Sequence, residues 1–134
     1  MGQQQLLLIV LGVIIVGIAV VAGLNIFNQS AFESNRDAVI LDLNQIAQKA
    51  QQYLRKPASM GGPTTGDFTG VTLATLGVNP TNENGSFAIS GTPGATLVVT
   101  GTLKEDGDGD GTLAVYSITI PTVGTPTLAT VTAD

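Results

Sequence analysis

The residues best suited to chemistry lie in one short acidic segment of this 134-residue chain. The segment, residues 104–111, reads KEDGDGDG, so that Asp106, Asp108 and Asp110 alternate with glycine. Alternating carboxylates followed by a glycine form the first half of a calcium-binding loop, in which they converge on one hard cation. The segment therefore indicates a structural Ca²⁺ site with Glu105, Asp106, Asp108 and Asp110 as ligands, completed by loop carbonyl groups.

The same segment also fits an ordinary hairpin connection. Asp-Gly pairs form turns readily without any ion, because Asp bonds its own backbone and Gly adopts positive φ. The bidentate glutamate that closes an EF-hand is missing, since the twelfth position counted from Asp106 is Ser117, within a predicted strand. The segment is therefore not an EF-hand, and both a calcium site and a solvated turn stay open from the sequence.

Composition argues against most other kinds of site. The chain has no Cys, His or Trp, which excludes disulfides, cysteine nucleophiles, histidine acid–base catalysis and zinc sites of the usual ligands. Ten acidic residues and two tyrosines without a convergent partner do not form a catalytic site. The net charge of −5, without any basic cluster, argues against nucleic acid as a partner. We expect no enzyme, and no required cofactor beyond the Ca²⁺ considered above.

A period-two pattern surrounds the acidic segment and predicts four strands. From residue 86 onward, runs rich in Thr, Val and Ile are separated by Gly, Pro and Asp turns. The predicted strands are residues 86–90, 95–103, 112–120 and 126–132. Short connections favour an antiparallel meander, with one face on a helix and a threonine-rich face toward water.

The N-terminal half supplies that helix. After three glutamines at positions 3–5, residues 6–27 form an apolar run whose only polar side chain is Asn25. As a helix the run would span about 33 Å, close to the roughly 30 Å of a bilayer's hydrocarbon core. It is longer than the apolar part of a signal peptide, and no Lys or Arg precedes it. We expect it to lie in a membrane, in a bundle of like helices, or in each in turn.

Beyond the apolar run the pattern becomes amphipathic. The apolar stripe consists of Val39, Leu43, Ile46, Ala50 and Tyr53, widened by Ile40, Ala47 and Leu54. Arg55 and Lys56 favour the helix dipole in the last turn, and Pro57 stops the helix. Ser30 and Glu33 match a capping box that would start a second helix. The lack of Gly and Pro near that point favours one helix of about 50 residues, about 75 Å long.

These patterns predict an α+β fold, in which a long N-terminal α-helix packs on a small C-terminal antiparallel β-sheet of about four strands. Residues 1–56 form the helix, with 1–29 as a filament-core or membrane segment and 30–56 as the amphipathic half. Residues 57–134 form a β-rich globular head that includes a connecting loop, 57–85.

This arrangement resembles the type IV pilin and pseudopilin family. The resemblance covers the whole chain as architecture and about the first thirty residues as sequence. It implies that a prepilin peptidase removes a leader and that the new N-terminus, here Met1, is methylated. It also implies an inner-membrane pool of subunits, which an assembly ATPase drives into a filament of identical subunits at the cell surface.

The resemblance places the apolar run in the filament core. The residues assigned there are Gln5, Leu6, Leu11, Gly12, Ile15, Gly17, Gly23 and Phe27. Three features depart from the family. Gln5 stands where a glutamate usually neutralises a neighbour's N-terminal amine, the central proline is missing, and the disulfide of many pilins is absent. Without the proline, Gly17 and Gly23 are the candidates for local unwinding.

Three functions follow as alternatives. The first is a structural, major pilin-like subunit of an extracellular type IV pilus-like filament. The second is a type II secretion-type pseudopilin, which the acidic segment favours. The third is a single-pass membrane-anchored binding module, which would stay monomeric in detergent.

Overall fold

A computed structural model describes residues 2–132 of the chain. One long helix, α1 (Gly2–Arg55), is followed by a single 3-10 turn at Ala58–Met60 and by four strands. The strands are β1 (Gly85–Ser90), β2 (Thr96–Leu103), β3 (Val115–Pro121) and β4 (Thr127–Thr132). The predicted α+β fold, with its long N-terminal helix and four-stranded antiparallel sheet, is confirmed.

Helix α1 runs without interruption through 54 residues, which makes it about 80 Å long. The capping-box pattern at Ser30 and Glu33 does not begin a second helix, because both residues lie inside the continuous one. The helix ends at Arg55, two residues before Pro57, since proline disfavours helical backbone at the residue before it. The prediction of one continuous helix is confirmed.

The sheet is an antiparallel meander in the order β1-β2-β3-β4. Its register pairs Val99 of β2 with Ile89 of β1 and with Ile118 of β3. Because directly paired residues share one face of an antiparallel sheet, these three side chains point to the same side. This inner face packs on α1.

The hydrophobic core lies between α1 and the inner face of β1, β2 and β3. From the helix it takes Val39, Leu43, Ile46, Ala47 and Ala50. From the sheet it takes Phe87, Leu97, Val99, Leu103, Ile118 and Ile120. Tyr53 and Leu54 pack against its margin and Ile40 is half-buried, so the predicted stripe is the face that the sheet covers.

Gly101 of β2 lets the helix approach the sheet closely. A Cβ atom added at Gly101 would lie 2.9 Å from Val39 Cγ1 and 3.1 Å from Phe87 Cε1. Contacts this short require a neighbour to move, and both neighbours are fully or almost fully buried. A glycine inside a strand commonly marks such a close approach.

The connector before β1 closes one end of the core with Phe68, Val71 and Leu76, which are all buried. The connector also contains a single helical turn, which begins at Thr72 and ends at Gly77. Thr72 Oγ1 accepts a hydrogen bond from the Thr75 amide at its start. Gly77 ends it with φ of +65°, and the amides that follow bond back in the Schellman pattern.

Strand β3 begins three residues later than predicted, at Val115 instead of residue 112. Thr112 belongs to the preceding loop, because its amide donates to Asp110 Oδ1 at 2.6 Å. Side-chain capping of this kind competes with strand pairing.

Candidate assembly helix and acidic loop

In the N-terminal half of α1, the apolar side chains are exposed. Every described residue from 2 to 30 is exposed, with Leu11 at 53%, Ile15 at 57% and Phe27 at 72%. Its most apolar window has a mean hydropathy of 3.1, so α1 is long and apolar enough to cross a membrane by length and composition. The apolar half therefore lacks, within residues 2–132, the sheet cover that the second half has.

The residues assigned to a filament core share this exposed surface. They are Gln5, Leu6, Leu11, Gly12, Ile15, Gly17, Gly23 and Phe27, and all are exposed. Met1, the expected site of processing and methylation, lies outside the described residues. The apolar half is thus one continuous surface and not a convergent site.

The glycines of this half are not required by contacts within the chain. A Cβ atom added at Gly12, Gly17 or Gly23 would meet nothing within 4 Å, and the helix is regular through all three. Gly17 and Ala22 help to form a shallow depression on the helix surface. Small residues at such places allow neighbouring helices to approach closely.

The loop between β2 and β3 brings together three of the four predicted metal ligands. Asp106, Asp108 and Asp110 each offer a carboxylate oxygen within 4.8 Å of the other two. Glu105 is exposed and does not belong to this group. Two ligands on opposite sides of a Ca²⁺ ion, each about 2.4 Å from it, are about 4.8 Å apart. The three oxygens are therefore close enough together for one cation to contact all of them.

The same loop is also organised by its own hydrogen bonds. Asp106 accepts from the amide of Gly109 at 2.6 Å and from that of Gly111 at 2.7 Å. The Gly111 amide, followed by the Gly109 amide, holds the pKa of the Asp106 carboxyl below its ordinary range, because both stabilise the ionised form. The loop thus has the geometry of the predicted turn as well as that of a cation site.

Asn35 joins the helix to this loop, a contact that no pattern in the sequence predicted. Its Oδ1 accepts from the amides of Lys104 at 3.1 Å and Glu105 at 3.3 Å. Its Nδ2 donates to the carbonyl of Asn84 at 2.7 Å. Asn35 lies four residues before Val39, one turn along the same face. That spacing was the available signal for a polar group at the end of the buried stripe.

Asp42 is a second polar residue of α1 that contacts the connector. It is half-buried, and its Oδ2 accepts from the side-chain amides of Asn82 and Asn84, both at 2.8 Å. Asn35 and Asp42 are seven residues apart, two turns along one face. Together they fix the connector just before β1.

Comparison of the chain with protein-family models, curated proteins and solved structures found no match.

Proposed function

We propose that the chain is the structural, major pilin-like subunit of an extracellular type IV pilus-like filament, in which identical copies polymerise through their hydrophobic N-terminal helices. The observation that carries this proposal is the division of α1. Residues 2–30 are exposed throughout, whereas the stripe from Val39 onward is packed on the sheet. A membrane would cover the apolar half before assembly, and neighbouring helices would cover it afterwards.

The continuity of α1 supports a polymer over a simple anchor. No break separates the apolar half from the half that is packed on the sheet, so the head has a fixed direction relative to the apolar surface. A tether works equally well through a flexible linker, whereas a helical polymer needs the same rigid geometry in every subunit.

The proposal includes the steps by which such a subunit is processed and assembled. Copies would wait in the inner membrane, a prepilin peptidase would process and methylate the N-terminus at Met1, and an assembly ATPase would drive polymerisation. Gln5 would offer its amide oxygen to the N-terminal ammonium group of a neighbour, but without the charge of a glutamate.

A charge within the apolar half tests this function. We expect Leu11→Asp or Ile15→Asp to abolish filaments, because an ionised carboxylate would be buried among apolar helices without a partner. The measurement is electron microscopy of material sheared from cells. Val123→Asp is the matched control, since Val123 is an exposed apolar residue of the head (88%) and its substitution should leave filaments intact.

Filaments assembled from the Leu11→Asp chain would contradict the proposal. Wild-type protein that remains monomeric in detergent and yields no filaments would favour the membrane-anchored binding module instead.

A type II secretion-type pseudopilin is the second candidate, and the convergence of Asp106, Asp108 and Asp110 favours it. In this second candidate, the three carboxylates would hold a structural Ca²⁺ ion. Such a subunit would form a short periplasmic assembly, so shearing would release no long filaments from the cell surface.

Calcium at the loop is tested by thermal melting of the full chain in detergent. We expect Ca²⁺ to raise the melting temperature and a chelator to reverse the rise, because an ion that binds only the folded loop at 100 times its Kd stabilises it by about 2.7 kcal/mol. The Asp108→Asn variant should lose this response. If Ca²⁺ did not change the wild-type melting curve, the calcium site would be contradicted and the loop would be only a turn.

A further inference from the structure

The outer face of the sheet, turned away from α1, carries no charged side chain. Strands β1 and β4 each contribute three residues to it and β2 and β3 each contribute four, and all are Ser, Thr, Ala, Val or Pro. Its middle row runs across the sheet through Ala88, Thr100, Ser117 and Ala129. Within residues 57–132, the charged residues lie on the connections, for example Lys104 and the acidic loop.

Ser117 lies at the centre of this face and is only 8% exposed. Its hydroxyl group makes no side-chain hydrogen bond within residues 2–132. Sheltered polar groups normally find a hydrogen-bond partner. A surface placed on this face would offer one.

The net charge of the subunit indicates which molecule would cover the outer face of the sheet. Each subunit has a net charge of −5, so polymers of this chain repel one another wherever charged surfaces meet. An uncharged face is where two copies can approach without that repulsion. Its short side chains also lose little rotamer freedom on contact. Both properties favour a second copy of the same face.

The area of the face indicates when the contact forms. Strands about 4.8 Å apart and residues about 3.3 Å apart give the fourteen positions an area of roughly 400–450 Å². A stable interface needs about 800 Å² from each partner. Two free subunits would therefore not remain paired, whereas a row of such contacts along two polymers would hold through multivalency.

We propose that the outer face of the sheet is the lateral contact between neighbouring filaments of this chain. The inference rests on the proposed filament function, in which the helices form the axis. The sheet covers one side of α1, so its outer face lies far from that axis and toward the filament's exterior. Two such faces would pack as stacked sheets, at about 30° to each other, and each would provide hydroxyl partners for the other's Ser117.

Lysine substitutions on and off the face test the inference. Ala88→Lys and Thr119→Lys place a charge on the outer face, and Thr64→Lys places one on an exposed part of the connector. All three lower the net negative charge equally, which by itself would favour association. Filaments sheared from cells are compared by electron microscopy and low-speed sedimentation over a range of salt, and melting curves check that each variant folds.

We expect wild-type and Thr64→Lys filaments to form bundles, and both face variants to form single filaments with a several-fold smaller pelleted fraction. Equal bundling of the face variants, or wild-type filaments that never bundle, would overturn the lateral contact while leaving the filament function intact. Folded face variants that form no filaments would overturn it too, because the face would then lie inside the filament. Absence of filaments from the wild-type chain would instead contradict the filament function itself.

Discussion

At the scale of single residues, Asn35 connects the helix to the start of the acidic loop. It makes one hydrogen bond to the connector and accepts two from the first residues after β2. We expect Asn35→Ala to lower the stability of the head by about 1.5–4.5 kcal/mol, since each of the three hydrogen bonds contributes about 0.5–1.5 kcal/mol net. Chemical denaturation of the full chain in detergent measures this difference.

Asn44→Ala is the matched control for Asn35→Ala. Asn44 is exposed on the same helix and makes no side-chain hydrogen bond within residues 2–132. The control therefore reports only the gain in helix propensity, up to about 0.7 kcal/mol. Equal effects of the two substitutions would contradict the positioning role of Asn35.

Residue patterns predicted the apolar contacts of the helix but not the polar ones. Val39 and Leu43 were placed correctly because burial follows the helical period. The partners of Asn35 and Asp42 are backbone and amide groups of the connector and loop, whose path no period describes. A polar residue at the margin of an apolar stripe can face water or a loop with equal ease, and only the folded chain decides.

At the scale of elements, the acidic loop should make the head sensitive to acid. The pKa of Asp106 is held low by the Gly111 and Gly109 amides, and that of Asp67 by the Thr65 hydroxyl and then the Thr69 amide. A carboxyl with a depressed folded pKa stabilises the fold above its unfolded pKa of about 3.9 and loses that contribution as the pH falls through the folded value. We expect a constant melting temperature from pH 7 to about 5 and a decline below about 4.

Asp106→Asn separates the contribution of this loop to the decline. Its melting temperature should be lower than that of the wild type at pH 7, and the two should converge at low pH. Glu105→Gln removes the same charge from the same loop without touching the Gly109 and Gly111 amides, so it should follow the wild-type curve. A constant difference between Asp106→Asn and wild type at all pH values would contradict the assignment.

The helix and the strands were easier to predict than the acidic loop between β2 and β3. A period of 3.6 indicates the second half of the helix and a period of 2 indicates the four strands, while the length of the apolar run indicates the first half of the helix. The loop was predicted to hold four ligands, whereas three carboxylates converge and the amides of Lys104 and Glu105 donate to Asn35. That bond joins residues about seventy positions apart, and local sequence does not report it.

At the scale of the whole molecule, the head and the apolar half should be separable. Residues 2–29 are exposed throughout, and the core draws its helical residues only from Val39 to Ala50. We therefore expect a fragment of residues 30–134 to be soluble and to melt cooperatively, at a temperature close to that of the full chain in detergent. Circular dichroism and analytical ultracentrifugation measure this. An unfolded or aggregated fragment would show that the apolar half stabilises the head.

The last strand of the sheet, β4, lies outside the hydrophobic core, and this affects local unfolding of the head. All six residues of β4 are exposed, and Leu128, although it points to the inner side, stays 44% accessible. Strand β4 is held by its ladder with β3 and supplies no buried residue to the core. Its loss would thus uncover little apolar surface, so fraying of β4 costs far less than global unfolding. We therefore expect the outer strand to detach and rejoin while α1 and β1–β3 remain folded.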